Sequence, residues 1–537
     1  MKTYPGERDA SSSLQRFLGM VILPAFSGGL LAVAVTPDPN VALALVFLVP
    51  MFIGRPCGTL EAFVRGLMLG IAYYLGTVSW TLNVHGFEVW HLMPIVLYLS
   101  VSYGVWSIGL EMTRSESAYL QPAILASLWV VLEYVRNTVG FLALPWAGVA
   151  HGFLDAAELR QFAAVFGEYG LAFFAVFFSA SLGRAISELG RGKPWAPSAK
   201  AVSVSLAFAL SLFAFGFARL ATLEPVDEIS VRVVQAGKID AGPPGQNSIE
   251  SLAALSRIER DGDGGADLIV WPEGAVKLIN RFPFVYGEIF QLSEELGAPI
   301  VFGASSGSKY LRRNSDQAAG QMINELVIID GARDGLQKYA KRKLVPFGEY
   351  IPMAGRVDWP DWLVPEIIQV EVPPGPPQAL AISSPEIAVV PAICWENIFA
   401  ANIRSVVPAG AAVGVNISNL SIFASRKAAV QHNSSTVFRA IENGIAFVLA
   451  TDTGPSWLVG PGGEIMASTA YGAPRSTQAV VPVFAERTLY WKIGDVLVFA
   501  CAILLMGWAA RRTLRGDDVG GPRAAERTRE SGDSLDK

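Results

Sequence analysis

The chain is rich in apolar residues and poor in charged ones. Hydrophobic residues make up 52% of its 537 positions and charged residues 17%, whereas a typical soluble domain has about 25% charged residues. The mean hydropathy is +0.39, and the formal net charge is only −5. This composition excludes an ordinary soluble protein and predicts a chain that crosses a membrane several times.

Apolar runs of membrane-spanning length follow one another in the first part of the chain and recur once near its end. About 20 residues are needed to cross a hydrocarbon core of ~30 Å. The predicted spans lie at about 17–35, 62–82, 92–112, 119–135, 162–183, 201–218 and 493–510. A shorter run at about 41–54 is predicted as a further span, because turn signals flank it. The sequence therefore predicts about eight spans, seven before a polar block and one after it.

Basic residues indicate how these spans are oriented. They occur in alternate loops: Arg8, Arg16, Arg55, Arg65, Arg114, Arg184, Arg191, Lys193, Lys200, Arg511, Arg512 and Arg515. The loops of the other parity, 36–40 and 83–91, contain no Lys or Arg. Short basic loops stay in the cytoplasm, so both termini are predicted to be cytoplasmic and the polar block extracytoplasmic. A cleaved signal peptide ending near Ala32-Val-Ala-Val35 is the alternative for the first span, but its apolar stretch is long for one, which favours an uncleaved anchor.

The polar block alternates short β-rich runs with helical stretches. Strands are predicted at 229–235, 267–271, 299–303, 325–330, 387–393, 412–417 and 445–450, and helices at 247–260, 286–296 and 427–443. We expect a membrane domain over 1–222, an α/β layered domain over 223–487, a closing transmembrane helix over 488–512 and a disordered cytoplasmic tail over 513–537. Deleting this tail should leave activity unchanged, because it has too few apolar residues to fold.

Three residues of the polar block are candidates for covalent acyl chemistry. Cys394 is the only cysteine of the block, and Glu273 follows a predicted strand, as Cys394 does. Lys341 lies in a basic stretch. A thiol is a strong nucleophile only as thiolate, which a nearby Lys and carboxylate would favour. Taken singly, each has an ordinary structural explanation: a small buried hydrophobe, a carboxylate at a helix start and a solvated charge.

The other cysteines leave Cys394 free for chemistry. Cys57 and Cys501 lie at or inside predicted spans. No disulfide framework is therefore expected, even if the block faces an oxidising compartment.

The motifs around these residues resemble a known superfamily. Trp271-Pro-Glu273, Tyr339-x-Lys341-x-x-Leu-Val-Pro-Phe-Gly-Glu349 and Ile393-Cys-x-Glu396 are similar to motifs of the carbon–nitrogen hydrolases, or nitrilases, which have an αββα sandwich. The many spans before the block and the single span after it resemble the apolipoprotein N-acyltransferase family in particular. Residues 129–148, with Glu133 and Arg136, are similar to that family's membrane-domain loop, and residues 460–465 to its C-terminal hairpin.

This resemblance implies a reaction and a location. Glu273 would be the general base, Lys341 would stabilise the thiolate and the tetrahedral oxyanion, and Cys394 would carry the acyl chain as a thioester. Glu349 and Glu396 would be supporting residues that orient Lys341 and the nucleophile. The donor would be a membrane phospholipid and the acceptor the α-amine of a lipoprotein diacylglyceryl-cysteine, at the periplasmic face of a bacterial inner membrane.

No cofactor, metal or nucleic-acid partner is expected. The four histidines, His85, His91, His151 and His432, have no metal-ligand spacing. No Gly-rich phosphate loop occurs in the sequence.

The chain also departs from the family pattern. Where the family typically has Ser-Asn-Asp-x-Trp-Phe-Gly, this chain has Ser418-Asn-Leu-Ser-Ile-Phe-Ala424, so that Leu420 and Ile422 replace an Asp and a Trp. Trp395 stands for the usual Tyr, and a Lys-Trp pair is missing from 236–245. These changes leave the acceptor open. A membrane-tethered amidase or acyltransferase that acts on another substrate, as in some conjugal-transfer systems, is the alternative; a non-catalytic scaffold is disfavoured, because all three candidate catalytic positions are filled.

Overall fold

The protein consists of a bundle of apolar helices, two stacked β-sheets flanked by helices, and a closing apolar helix. The computed structural model describes residues 14–53, 57–192, 194, 196–237, 246–258, 264–277, 279, 282–307, 322–331, 335–360, 363, 370, 376–383 and 386–515. The predicted tail beyond 515 and the segment 238–245 lie outside these residues.

The N-terminal part is helical throughout. Its α-helices are α1 (Leu23–Val35), α2 (Val41–Val46), α3 (Val49–Ile53), α4 (Thr59–Val78), α5 (Val89–Met112), α6 (Leu120–Thr138), α7 (Ala157–Arg160), α8 (Ala163–Gly190) and α9 (Ala196–Ala221). Among the described residues, six helical stretches are long and apolar enough to cross a membrane: Leu14–Val35, Thr59–Asn83, Val89–Met112, Ala163–Gly190, Ala196–Ala221 and Val496–Leu514. The predicted multi-span helical architecture is confirmed.

The count of full-length apolar helices is lower than the eight spans predicted. The run at 41–54 forms a short apolar stretch, Val41–Ile53, divided into α2 and α3. Helix α6 is helical as predicted, but it carries the buried charged residues Glu133 and Arg136. Arg136 donates to Glu133 at 3.2 Å and to the hydroxyl of Tyr103 at 3.3 Å. Buried charges need such partners, so α6 is enclosed by its neighbouring helices.

Within the described residues, twelve strands form two six-stranded sheets. The strands are β1 (Asp227–Gln235), β2 (Leu268–Val270), β3 (Ile300–Gly307), β4 (Met322–Asp330), β5 (Gly335–Ala340), β6 (Leu380–Ser383), β7 (Glu386–Ile393), β8 (Ala412–Ser418), β9 (Ala446–Thr451), β10 (Trp457–Val459), β11 (Ile465–Ser468) and β12 (Arg475–Val483). The first sheet has the order β12-β1-β2-β3-β4-β5 and the second β11-β10-β9-β8-β7-β6. Within them β1-β2-β3 and β7-β8-β9 are parallel.

The sheets pack face to face and helices cover their outer faces. Alternate residues of a strand point to opposite faces, and Val231 and Val233 of β1 meet Val413 and Val415 of β8 in one buried core. Helices α10 (Gln246–Ser256) and α11 (Phe284–Leu296) cover the first sheet; α12 (Ala400–Arg404) and α13 (Arg426–Asn443) lie on the side of the second. The predicted αββα sandwich is confirmed.

Five strands were not predicted: β5, β6, β10, β11 and β12. Strands β6, β10 and β11 have only three or four residues. β5 and β12 contain several polar residues and lack the strict apolar–polar alternation that predicts a half-buried strand. β12 pairs with β1 over its whole length, from Asp227 opposite Val483 to Gln235 opposite Arg475, and so returns the chain to the first sheet. Helices α14 (Leu489–Ile493) and α15 (Val496–Leu514) follow it.

Candidate active site

Glu273, Lys341 and Cys394 lie together where strands of both sheets end. Glu273 follows β2, Lys341 follows β5 and Cys394 follows β7. All three are buried, with exposed fractions of 8%, 1% and 5%. The Lys341 Nζ lies 3.7 Å from Oε1 of Glu273. The structure thus brings the three predicted residues into one buried cluster.

The carboxylate of Glu273 is held on both of its oxygens. Asn324 Nδ2 donates to Oε1 at 2.7 Å, and the backbone N–H of Asn419 donates to Oε2 at 2.8 Å. Asn419 belongs to the segment that departs from the family pattern. Because its contribution is a main-chain N–H, the substitution at Leu420 leaves this contact in place.

Lys341 is fixed by a second carboxylate. Its Nζ donates to Oε1 of Glu349 at 2.7 Å, and the other oxygen of Glu349 accepts the backbone N–H of Val345 at 2.8 Å. Burial by itself would lower the pKa of the Lys341 ammonium. The charge of the Cys394 thiolate, once it forms, and the charges of the carboxylates of Glu349 and Glu273 outweigh burial and raise that pKa above its ordinary value. Lys341 is therefore a permanent cation beside the thiol.

Cys394 lies at a sharp turn between β7 and a 3₁₀ turn over Cys394–Ile398. Its φ of +55° is in the left-handed region, which residues other than glycine rarely adopt. Such strain persists only where the surroundings enforce it. Burial raises the pKa of the Cys394 thiol, and Glu273 raises it further, while Lys341 lowers it in part. The resting side chain is thus a thiol, and a base has to remove its proton.

Glu396 joins the turn at Cys394 to the loop at Lys341. It is fully buried and accepts backbone N–H groups from Ile393 at 2.9 Å, from Arg342 at 2.7 Å and from Lys343 at 2.9 Å. The Tyr339 hydroxyl donates to both of its oxygens at 3.1 Å. Burial raises the pKa of Glu396, although the backbone donors lower it in part. This carboxylate therefore ties two chain segments to each other.

Three polar side chains of this cluster were not predicted from the sequence: Asn324, Asn416 and His432. Asn416 and His432 are fully buried and contact the backbone of Cys394. A signal for Asn416 existed, since it is the only polar side chain in the predicted strand 412–417. His432 lies on a predicted helix, and no sequence motif marks it as a site residue. The absence of metal-ligand spacing around it bears only on a metal role.

The segment 418–424, which departs from the family pattern and is called the departing segment below, packs against the membrane region. The backbone N–H groups of Leu420 and Ser421 donate to Oδ1 of Asp452 at 2.7 and 3.2 Å, so a carboxylate from the end of β9 holds this turn. Phe423 contacts Trp80, at a ring-centroid distance of 4.7 Å, and Trp146, at 6.1 Å. The segment therefore borders both the candidate site and the apolar helices.

Trp395, in place of the usual Tyr, also has defined contacts. Its Nε1 donates to the backbone oxygen of Lys343 at 2.6 Å, and its ring meets Phe399 edge to face at a centroid distance of 5.2 Å. The tryptophan thus adds a further link between the Cys394 turn and the Lys341 loop.

Helix α13 connects the candidate site to the membrane region. Near its start, Gln431 accepts a hydrogen bond from Trp146 Nε1 at 3.0 Å. Near its end, Arg439 forms an ion pair with Glu168 of α8. The helix bearing His432 is therefore linked to the membrane region through Trp146, in the loop that follows α6, and through Glu168 of α8.

Comparisons with known proteins agree with this arrangement. A model of the apolipoprotein N-acyltransferase N-terminal domain matches residues 27–181, and a carbon–nitrogen hydrolase model matches residues 231–478. An apolipoprotein N-acyltransferase of Geobacter metallireducens is 30% identical over 498 residues, which cover 89% of this chain and 92% of that protein. One from Agrobacterium fabrum is 27% identical (87% and 91% covered), and one from Gloeobacter violaceus 28% (92% and 95%).

The fold and these matches define a membrane-bound N-acyltransferase enzyme of the carbon–nitrogen hydrolase superfamily. The chain belongs to the apolipoprotein N-acyltransferase family.

Proposed function

We propose that this enzyme moves a fatty acyl chain from a phospholipid, through a thioester on Cys394, to the N-terminal amine of a lipoprotein diacylglyceryl-cysteine. The observation that carries the proposal is the buried thiol of Cys394 beside a permanent cation, Lys341, and a carboxylate, Glu273. Relatives that match almost the whole chain are named apolipoprotein N-acyltransferases.

In the first half of the reaction, Glu273 takes the thiol proton while the sulfur attacks the ester carbonyl of the phospholipid. Lys341 and the backbone N–H that follows the nucleophile face the oxygen that becomes negative. Collapse of this intermediate breaks the ester C–O bond. The lysophospholipid alkoxide leaves with the proton held by Glu273, and the acyl chain stays on Cys394 as a thioester.

In the second half, the neutral amine of the lipoprotein attacks the thioester. Glu273 takes a proton from the attacking nitrogen, and the C–S bond breaks to form the amide. The thiolate then recovers the proton, which returns the enzyme to its resting state. Lys341 is excluded as the base in both halves, because its raised pKa keeps it protonated.

Both proposed substrates are lipid-anchored, which accounts for a catalytic region attached to the membrane at both ends. We place the membrane domain at 1–222, the catalytic domain at 223–487, the closing span at 488–512 and a cytoplasmic tail at 513–537. The absence of Lys and Arg from loops 36–40 and 83–91 supports cytoplasmic termini and a catalytic domain on the periplasmic side of the inner membrane.

A second candidate is an amidase or acyltransferase that acts on another substrate, such as one of a conjugal-transfer system. The departing segment favours it, since buried Leu420 and exposed Ile422 replace polar and aromatic residues of the family pattern.

Intact-mass measurement of the purified protein tests the proposal. With phospholipid alone, the wild type should gain a fatty-acyl mass that neutral hydroxylamine removes, because water is scarce in the buried site. A lipopeptide with a free N-terminal amine should discharge it, and Cys394→Ala should never acquire it. A protein that stays unacylated with phospholipid, yet releases ammonia from small amides, would reject the first candidate in favour of the second.

A further inference from the structure

Two side chains that have no role in the proposed reaction contact the backbone carbonyl oxygen of Cys394. Asn416 Nδ2 lies 3.1 Å from this oxygen and donates to it. His432 Nε2 lies 3.1 Å from the same oxygen. Asn416 and His432 are fully buried, at 0% exposure. A backbone oxygen with two dedicated buried partners, at a residue with φ of +55°, points to a need for exact orientation of this peptide.

The same peptide unit carries an N–H that faces the reaction. The backbone N–H of Trp395 acts on the Cys394 side chain and lowers the pKa of its thiol, against the larger effect of burial. In a planar trans peptide the C=O and N–H point in opposite directions. Partners that hold the oxygen therefore hold the N–H as well. Donors on a carbonyl also polarise the peptide and strengthen the hydrogen bond that its N–H makes.

The surroundings of His432 limit its role. Asn433 Nδ2 donates to the backbone oxygen of Pro455 at 2.6 Å, so its Oδ1 faces His432 Nδ1 at 3.2 Å. Both ring nitrogens thus face oxygen atoms. Because a neutral imidazole has only one N–H, only one of the two nitrogens can donate a hydrogen bond. Burial lowers the pKa of His432 to about 4, so the ring is neutral at pH 7. Its Nε2 faces the carbonyl of Cys394, which makes it a partner of the backbone.

We propose that His432 and Asn416 are positioning residues of the acyl transfer: they hold the Cys394 carbonyl, with the His432 proton on Nε2, and so aim the Trp395 N–H at the sulfur and at the developing oxyanion. This inference rests on the proposed function, because it takes Cys394 as the nucleophile. It also assigns His432 a role distinct from that of a base in a Cys–His pair.

The test compares four variants of the full-length protein in lipid nanodiscs. His432→Phe and Asn416→Ser each remove one donor to the carbonyl. His432→Gln places an amide N–H near the position of Nε2. Ser434→Ala is the matched control on the same helix, since the Ser434 hydroxyl bonds only to the backbone of Val430 among the described residues. The readouts are the rate of acyl-enzyme formation by intact mass and the pH profile of Cys394 alkylation.

His432→Phe and Asn416→Ser should slow acylation by roughly 10- to 100-fold, less than or comparable to the loss of an oxyanion donor, and should move the alkylation profile to higher pH. His432→Gln should stay within about threefold of wild type, and Ser434→Ala should match it. If His432→Phe fails to fold, Asn416→Ser still tests the same carbonyl.

Other results would overturn the inference in identifiable ways. A wild-type rate of acylation and an unshifted pH profile of alkylation in both His432→Phe and Asn416→Ser would mean that the two contacts with the Cys394 carbonyl are only structural. A His432→Gln variant as inactive as His432→Phe would indicate that the ring is a base. In both cases Cys394→Ala stays inactive; if Cys394→Ala were itself active, the proposed function would fail.

Discussion

Arg439 of helix α13 forms an ion pair with Glu168 of membrane helix α8, where the sheets meet the apolar helices. A second carboxylate shares the cation: Glu442 Oε2 lies 3.0 Å from Arg439 Nε, and Glu442 Oε1 accepts the backbone N–H of Glu168 at 3.1 Å. Arg439 and Glu442 are almost completely buried. Burial raises the pKa of Glu442, and the charge of Arg439 lowers it in part, so the guanidinium favours the ionised form of this carboxyl group.

Arg439→Met should destabilise the protein by about 3–5 kcal/mol, because it leaves two buried carboxylates without a cation. Thermal unfolding in detergent, followed by tryptophan fluorescence, measures the loss. The control is Glu442→Gln, which leaves one cation and one carboxylate and should cost much less. Equal losses in the two variants would argue against a stabilising role for the Arg439 charge.

Glu396→Gln should reduce acyl-enzyme formation by about 10²-fold or more, a loss of the size expected when a group that orients the oxyanion donors is removed. The amide keeps the size of the carboxylate, but its NH₂ would face backbone N–H groups that now donate to Glu396. Radiolabelled phospholipid measures the rate. Glu386→Gln, at the exposed start of β7, the strand that leads into the Cys394 turn, is the control; similar rates in both variants would argue against a positioning role for Glu396.

Lys341→Ala should lower activity by about 10²-fold or more, as expected for a lost oxyanion partner. Two neighbouring lysines provide matched controls. Lys338 pairs with Glu325 at 3.2 Å, and Lys343 lies over the ring of Phe399 at 5.2 Å. Alanine at either position should cost little. Equal and mild effects in all three variants would favour a general basic surface. The assay is acyl transfer to a lipopeptide.

Stability should fall as the pH is lowered from about 6.5 to 4, in part through His432. Its pKa is lowered from 6.5 to about 4 on folding, with burial as the main cause. The unfolded chain therefore binds the proton first, and the contribution present above pH 6.5 is lost as the pH falls towards 4. Melting temperatures across this range should decline less steeply in His432→Gln. The control is His85→Gln at an exposed position; identical slopes in wild type and His432→Gln would contradict the prediction.

Local patterns explain which elements could be predicted. Strands β1, β7 and β8 are runs of β-branched residues, and the long apolar helices exceed the length needed to cross a membrane, so each carries its signal within one short window. β5 and β12 have no such signal, because their polar residues occupy partly exposed faces. They exist because a partner strand supplies the hydrogen bonds.

The candidate site also contains residues that the sequence predicted and contacts that it did not predict. Its motifs made Glu273, Lys341 and Cys394 recognisable as a set, since each lies in a distinctive stretch of sequence. The contacts of Glu396 with Arg342, and of His432 with Cys394, join segments that are far apart in the chain. No local pattern encodes which buried polar groups face each other.

The sequence alone determined the membrane-bound character, the layered α/β block and the residues with reactive side chains, because composition, periodicity and motifs are local properties. Only the tertiary structure decided that Asn324 holds Glu273, that Asn416 and His432 hold the Cys394 carbonyl, and that Arg439 joins α13 to α8. These pairings follow from the requirement that buried polar groups find partners, and the partner is chosen by the packing of the sheets against the membrane helices.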